Sequence, residues 1–493
     1  MNPPATSATP GSPTPAGKIL GPADRITFFD EQARNRRQSW RFSTLAMLTV
    51  LATSVPVSII VTPYIYVFLL LTGHIANAIR PLDPATIKQL HDLAYMLPEA
   101  VARIAQTKSL AGAPHLIVPA LVLVLPGAAV MLALWVAIRL TFRNSGVGGA
   151  LAAAGRAPRP EDPAEQRLVN LVEEMAIAGG VPPPRLIVID SPAANVAATG
   201  SSLRSGAIVA TRGFVDLLNR EQAEAMIGHV IGAMGNGDLE IAQSILGVYR
   251  TFGLLELVLD TSFGPQSRDA IWRLFKLAFT ARGSVEEVRE ADALAELLER
   301  SAMGSGAESL GQTAGQARAR QRGAIASLLD APRAFFLTLP MATAQFTIGL
   351  ASTLFFGPAF AALWRARCRL ADASAVQLTR NPESVASGLE CLGMAQTAVF
   401  GGEASSFLFV TWQGTATSVR GKAVSTPFSS FQPAVKRRMK RLVKQGARLR
   451  EGRPLSRGSW IVMIGFALIL GPLMLVALGL SLAALAMMMM LDI

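Results

Sequence analysis

The chain has 493 residues, 51% of them hydrophobic and only 16% charged, with a net charge of +12 and a mean hydropathy of +0.38. That composition is too apolar for an ordinary soluble protein of this length and points to several membrane spans around one soluble domain. The basic excess reads as Lys and Arg concentrated in cytoplasmic segments of a membrane protein, and nucleic acid is not expected as a partner. With Cys368 and Cys391 the only cysteines, a disulfide framework and a Cys-rich zinc site are both excluded.

In chain order, residues 1–42 form a Pro/Ser/Thr/Gly-rich and then charged stretch, expected as a disordered cytoplasmic tail that ends in Arg34, Arg36, Arg37 and Arg41. Residues 43–140 hold two expected membrane helices, about 43–72 and 115–140, joined by an external loop with short helices near 84–107. Arg139 and Arg143 after the second span, like the arginines before the first, place both flanks in the cytoplasm. The first part of the soluble domain, with a third membrane helix at its end, is expected over 141–262. It contains a helix at 163–179 stopped by Pro182, Pro183 and Pro184, then the strands Arg185–Asp190 and Gly206–Thr211, with Asn195 and a Gly200 turn between them. A helix follows Asn219, a good N-cap, with Glu221 and Glu224 in its first turns and His229 among small apolar residues at helical spacing.

Residues 241–263 are apolar but carry Gln243, Arg250 and Glu256. They read as a third span or as an amphipathic helix at the membrane interface. A polar insertion is expected at 263–333 and a span at 334–363. The second part of the soluble domain, with a basic helix, occupies 364–457, and a C-terminal span fills 458–493.

The helix around His229, with its Asn-Gly-Asp exit at 236–238, resembles the active-site helix of the HtpX-like membrane zinc peptidases, relatives of the CAAX prenyl endopeptidases. Further likenesses are Asn195-Val196-Ala197-Ala198, Thr211-Arg212-Gly213, Ala371-Asp372 with Asn381-Pro382, and Phe431-Gln432-Pro433. The resemblance implies a mostly helical α+β zincin-type domain, integral to the membrane through about five transmembrane helices. It also implies the bacterial inner membrane, with the peptidase-like domain in the cytoplasm. The family's His-Glu-x-x-His places two zinc ligands one helical turn apart with the general base between them. Here those positions hold His229, Val230 and Ala233. The third ligand position holds Cys368, the second-shell position Asp372, and the C-terminal His position Gln432.

The resemblance therefore implies a pseudopeptidase that has lost zinc and catalysis, for which no cofactor is expected, binding unfolded or membrane polypeptides or a membrane-protein partner in quality control. The alternatives are an active zinc endopeptidase with an atypical site, conceivably rebuilt from His229, Cys368 and Asp238, and a lipid- or partner-binding scaffold. His229 itself reads as a neutral core histidine paired with Asp372. Asn195, Ala207, Ile208 and Val209 are a candidate peptide-binding edge by strand addition, or else an ordinary turn and core strand. Lys436, Arg437, Arg438, Lys440 and Arg441 are candidates to contact membrane lipid, or a solvated basic flank.

Overall fold

A continuous helix of 52 residues, α1 (Phe28–Ile79), leads the fold. The structure, a computed structural model, describes residues 28–106 except 82, then 117–142, 146–258, 265–280 and most of 286–299. It further describes 348–349, 356–399, 405–412, 416–417, 423–424 and 431–447. At about 1.5 Å per residue α1 is about 78 Å long, more than twice the roughly 30 Å hydrocarbon thickness. The expected first span lies within it. The expected disordered tail is corrected from Phe28 onward, where the same helix begins. Its first turns are ordered by packing on a later helix, α10 (Gly357–Thr379). Asn35 is fully buried there and donates to the Arg369 carbonyl at 3.2 Å, while Arg369 donates to Gln38 at 3.2 Å.

After α2 (Pro84–Gln106), α3 (Ile117–Thr141) packs back on α1. Gly127 makes the closest approach: a Cβ there would stand 2.2 Å from the Ser58 carbonyl oxygen, and its N–H donates to the Thr62 hydroxyl at 3.0 Å. Small residues permit such backbone contact between membrane helices. Among the described residues, two helices are long and apolar enough to cross a membrane, α3 and α8 (Asp238–Val258). Five were expected; those at 334–363 and 458–493 fall largely or wholly outside the described residues. In its most apolar window α3 is 22% buried and α8 61% buried, so α3 presents its surface outward while α8 is chiefly a packing helix. Arg250 of α8 is buried against Glu299 at 2.7 Å, which satisfies a charge that the apolar helix would otherwise strand.

The rest is mostly helical around a small three-stranded sheet. α4 (Gly149–Ala153) and α5 (Pro163–Gly179) precede β1 (Arg185–Ile189), β2 (Val196–Thr199) and β3 (Ala207–Thr211). The strand order is β1-β3-β2, with β1 parallel and β2 antiparallel to β3; Leu186 pairs with Ile208 and Val196 with Ala210. The short α6 (Arg212–Leu217) leads into α7 (Arg220–Gly235), which packs on β2, α5 and α10. α9 (Pro265–Thr280) follows α8. After α10 come α11 (Pro382–Met394), a two-stranded β4–β5 ribbon (Ala416–Thr417 with Ala423–Val424) and α12 (Val435–Lys444).

The start of α5 carries a buried charge cluster. Asp162 caps the helix, and the fully buried Glu165 accepts two bonds from Arg156, at 2.9 and 2.7 Å, and one from the Arg159 N–H. The bonds from Arg156 outweigh burial and bring the Glu165 carboxyl down to about 2. A carboxyl depressed in the folded state stabilises it above its unfolded value of about 4.3 and loses that contribution as pH falls toward about 2. Chemical denaturation between pH 5 and pH 2 (a window set by those two values) should therefore show stability falling, and Glu165→Gln should flatten the fall.

Candidate functional site

Helix α7 starts with a reciprocal cap: Gln222 N–H donates to the Asn219 side chain at 2.9 Å and Asn219 N–H to the Gln222 side chain at 3.1 Å. The expected N-cap is thus in place, with Gln222 as its partner rather than the neighbouring glutamates. Two turns later the buried His229 faces α10. The two helices come close because Gly232 has no side chain: a Cβ there would lie 2.5 Å from the Ser374 Cβ.

That approach brings His229 Nδ1 within 3.0 Å of Asp372 Oδ1. The distance assigns the proton to Nδ1, so the imidazole is oriented by a carboxylate and its second nitrogen is left on the cleft side. Asp372 in turn accepts two bonds from Arg438 of α12, at 2.9 Å from Nε and 2.5 Å from Nη2. Arg438 Nη2 also stands 3.4 Å from His229 Nδ1, a meeting of two donors that adds no bond. Burial would raise the Asp372 carboxyl, but the Arg438 charge and the His229 bond hold it well below the usual carboxylate range.

Arg438 is 1% exposed. Its place in the lipid-contacting set is therefore corrected: a side chain closed inside the domain with a carboxylate is unavailable to a membrane. Lys436, Arg437 and Lys440 are exposed on the same helix, with Arg441 half-buried.

A cavity of about 30 Å³, large enough for one or two waters, opens beside the imidazole. His229, Val230, Ala233 and Cys368 all line it, so the positions aligned by resemblance do converge on one space. Gln432 stands at its margin, with its Oε1 3.9 Å from the Cys368 sulfur. Burial pushes the Cys368 thiol up to about 12, which keeps it protonated at neutral pH. Asp238 also lines the cavity, but it is ion-paired with Arg367, which donates in addition to the Asn236 carbonyl at 2.5 Å. The acid of the conceivable rebuilt site is thus occupied by its own cation. Among the described residues no three His, Cys, Asp or Glu side chains gather closely enough to hold a metal ion. His74 and His91 meet each other edge to face on α1 and α2.

The candidate peptide edge is also corrected. Ala207, Ile208 and Val209 lie in β3, the central strand, with neighbours on both sides. Asn195 is fully buried; its Nδ2 donates to the Thr397 and Thr411 carbonyls at 2.9 and 2.6 Å, and its Oδ1 accepts from Val196 N–H at 3.0 Å. It ties the sheet to the segments before and after 400–404. Asn195→Ala would remove the bonds to both carbonyls, and denaturant titration should show a loss of about 2–4 kcal/mol.

The roles of two residues escaped the sequence reading. Arg438 was hidden in a run of cations, and only its i,i+4 relation to the buried Leu442 marks its inward face. Trp364, whose Nε1 donates to the Phe407 carbonyl at 2.7 Å, closes the far wall of the cavity.

The geometry defines a mostly helical domain in which a central helix, a small mixed sheet and a second helix carrying the imidazole's carboxylate partner meet at one cleft. The model of peptidase family M48 matches residues 163–444, more than half of the chain, and the chain belongs to that family. Among curated proteins it is similar to the "Protease HtpX homolog" of Streptococcus equi subsp. equi (strain 4047), 42% identical over 73 residues. It is also similar to the protein of that name from Streptococcus pneumoniae (strain Taiwan19F-14), 41% identical over 75 residues. Each match covers 15% of this chain and 25% of the relative, so the likeness spans about a quarter of the length of those relatives. No solved structure matches.

Proposed function

We propose that this M48-family chain keeps the peptidase frame without the peptidase chemistry, and that it serves as a membrane-embedded protein that binds polypeptide or a membrane-protein partner. The observation that carries the reading is the donor set around the cavity. One imidazole, oriented by Asp372 and Arg438, faces Val230 where a base would stand, Ala233 where a second imidazole would stand, and a protonated, buried Cys368. A catalytic zinc needs three protein ligands and an open position, so these residues do not fit the ion. With Val at the base position, no carboxylate follows His229 in the sequence to take a proton from water.

Membrane embedding is supported by the outward apolar side chains of α1 and α3, among them Leu45, Leu48, Leu51, Leu121, Leu125 and Leu132. The arginines before the first span and after the second support a cytoplasmic domain, as in a bacterial inner-membrane protein. The exposed Lys436, Arg437 and Lys440 then face anionic headgroups. The full-length chain in detergent, incubated with an unfolded membrane polypeptide, should crosslink to it without cutting it, and chelator should change nothing. Cleavage abolished by chelator and by His229→Ala would establish an active enzyme with an atypical site instead.

A further inference from the structure

The outer side of β2 is where an extended polypeptide would add to this sheet. In the β2–β3 pair Thr211 N–H donates to the Asn195 carbonyl, so the backbones of 195, 197 and 199 point to β3 and those of 196, 198 and 200 point outward. Both ends of that outward row are already taken by the chain itself. Gly200 exchanges two bonds with Val147, each at 2.9 Å, and the Val196 carbonyl accepts from Val410 N–H at 3.1 Å. Between those ends the antiparallel bridge Ala197–Phe409 lays residues 408–410 along the outer side of β2, and Ala198 there lines the cavity with His229.

The segment that reaches β2, Ser406–Thr411, is held in the manner of a bound peptide. Its carbonyls accept from side chains outside it: Phe407 from Trp364 at 2.7 Å and from Gln432 at 2.9 Å, Phe409 from Gln432, Val410 from Arg438, and Thr411 from Asn195 at 2.6 Å. Ser406–Leu408 is a 3-10 turn and Phe409 continues as extended chain bridged to Ala197; Phe407 and Phe409 are both buried, Phe407 edge-on to Trp364 with ring centroids 4.8 Å apart. Backbone bonds for affinity and side-chain pockets for selectivity are the two marks of polypeptide recognition at a sheet edge.

We infer that the cleft beside His229 is a polypeptide site that this chain fills with its own Ser406–Thr411 segment. A second polypeptide binds there only by displacing that segment, and the peptides that compete carry two aromatic residues that take the places of Phe407 and Phe409. This rests on the reading of the protein as a polypeptide binder and adds which polypeptides enter and what keeps others out. Gln432 and Arg438 become the clamps on the peptide backbone, two roles that catalysis does not require of them.

Hydrogen exchange on the full-length chain in detergent tests the displacement directly. The Val410 amide should exchange at least about tenfold faster than the amides of the β2–β3 ladder, because the segment opens without the sheet. Equal protection would make the segment part of the sheet's own cooperative unit and overturn the inference. In a second arm, Phe407→Gly/Phe409→Gly vacates the pockets, and a fluorescent peptide of sequence Ser-Phe-Leu-Phe-Val-Thr is the probe. The variant should bind it at least about tenfold more tightly than the natural chain, whose tethered segment competes at an effective concentration in the millimolar range. A peptide bound equally by both chains, or by neither, contradicts self-occupancy. Both arms read binding and opening without metal, so their failure leaves the absence of catalysis untouched.

Discussion

Arg438→Leu is expected to cost about 3–5 kcal/mol of stability, because it leaves a buried carboxylate without its cation. Asp372 is 5% exposed and its charge is held by two bonds from Arg438. Without the guanidinium, burial is opposed by His229 alone, and the carboxyl moves up toward protonation. The sign of the pH effect follows. In the natural chain the depressed Asp372 carboxyl contributes stability above the unfolded value of about 3.9 and loses it only in strong acid; in the variant that contribution is absent at neutral pH as well. Arg438 also holds the Val410 carbonyl, so the loss should loosen the covering segment along with the His229 helix. Arg438→Lys should fall between the two, since an ammonium keeps the charge but cannot grip both carboxylate oxygens and the carbonyl in one plane. The paired replacement Arg438→Leu/Asp372→Leu should recover part of the loss. Denaturant titration of the four chains measures all of this. A single-mutant cost below about 1 kcal/mol, typical of a solvent-exposed pair, would mean that Arg438 is not the anchor described.

The helices of the domain were legible because each carries its own punctuation. Pro182, Pro183 and Pro184 follow α5, and Asn219 and the glycine-rich exit bracket α7. The convergence of His229, Val230, Ala233, Cys368 and Asp372 was legible through the family frame, since a four-residue helical spacing carries direction as well as position. What lay beyond the sequence was long-range pairing. β2 is four small residues, Val196–Thr199, too short and too uniform to announce a strand, and without it β3 passes for an edge. In α12 six cations look alike in sequence, and only the folded chain, which brings Arg438 onto Asp372, decides that Arg438 turns inward while Lys436, Arg437 and Lys440 stay outside. The first turns of α1 were misread for a related reason: Asn35 and Ser39 are polar residues whose burial depends on a helix more than 300 positions away.

Restoring the missing ligands should produce the largest change of all, from no bound metal to a stable zinc site. Structural scaffolding for it is already present. Asp372 orients His229 through Nδ1 and leaves its other nitrogen on the cleft side, the arrangement that second-shell carboxylates give to zinc-binding imidazoles. Ala233 lies one turn from His229 on the same helix and lines the same cavity, and Cys368 faces both from α10. Ala233→His with Cys368→Glu would supply the second and third ligands, and Val230→Glu the carboxylate that takes a proton from bound water. Peptide cleavage need not follow, because the Ser406–Thr411 segment still covers the sheet edge. Metal content is therefore the cleaner readout.

The most direct measurement is zinc per chain after detergent purification without chelator, for the natural protein and for the Val230→Glu/Ala233→His/Cys368→Glu variant. The natural chain should carry almost none and the variant about one, the stoichiometry of a single three-ligand site. About one zinc in the natural chain, lost on His229→Ala, would contradict the account and establish that this member of the M48 family holds its metal through His229 with ligands other than the His and Glu missing at 233 and 368.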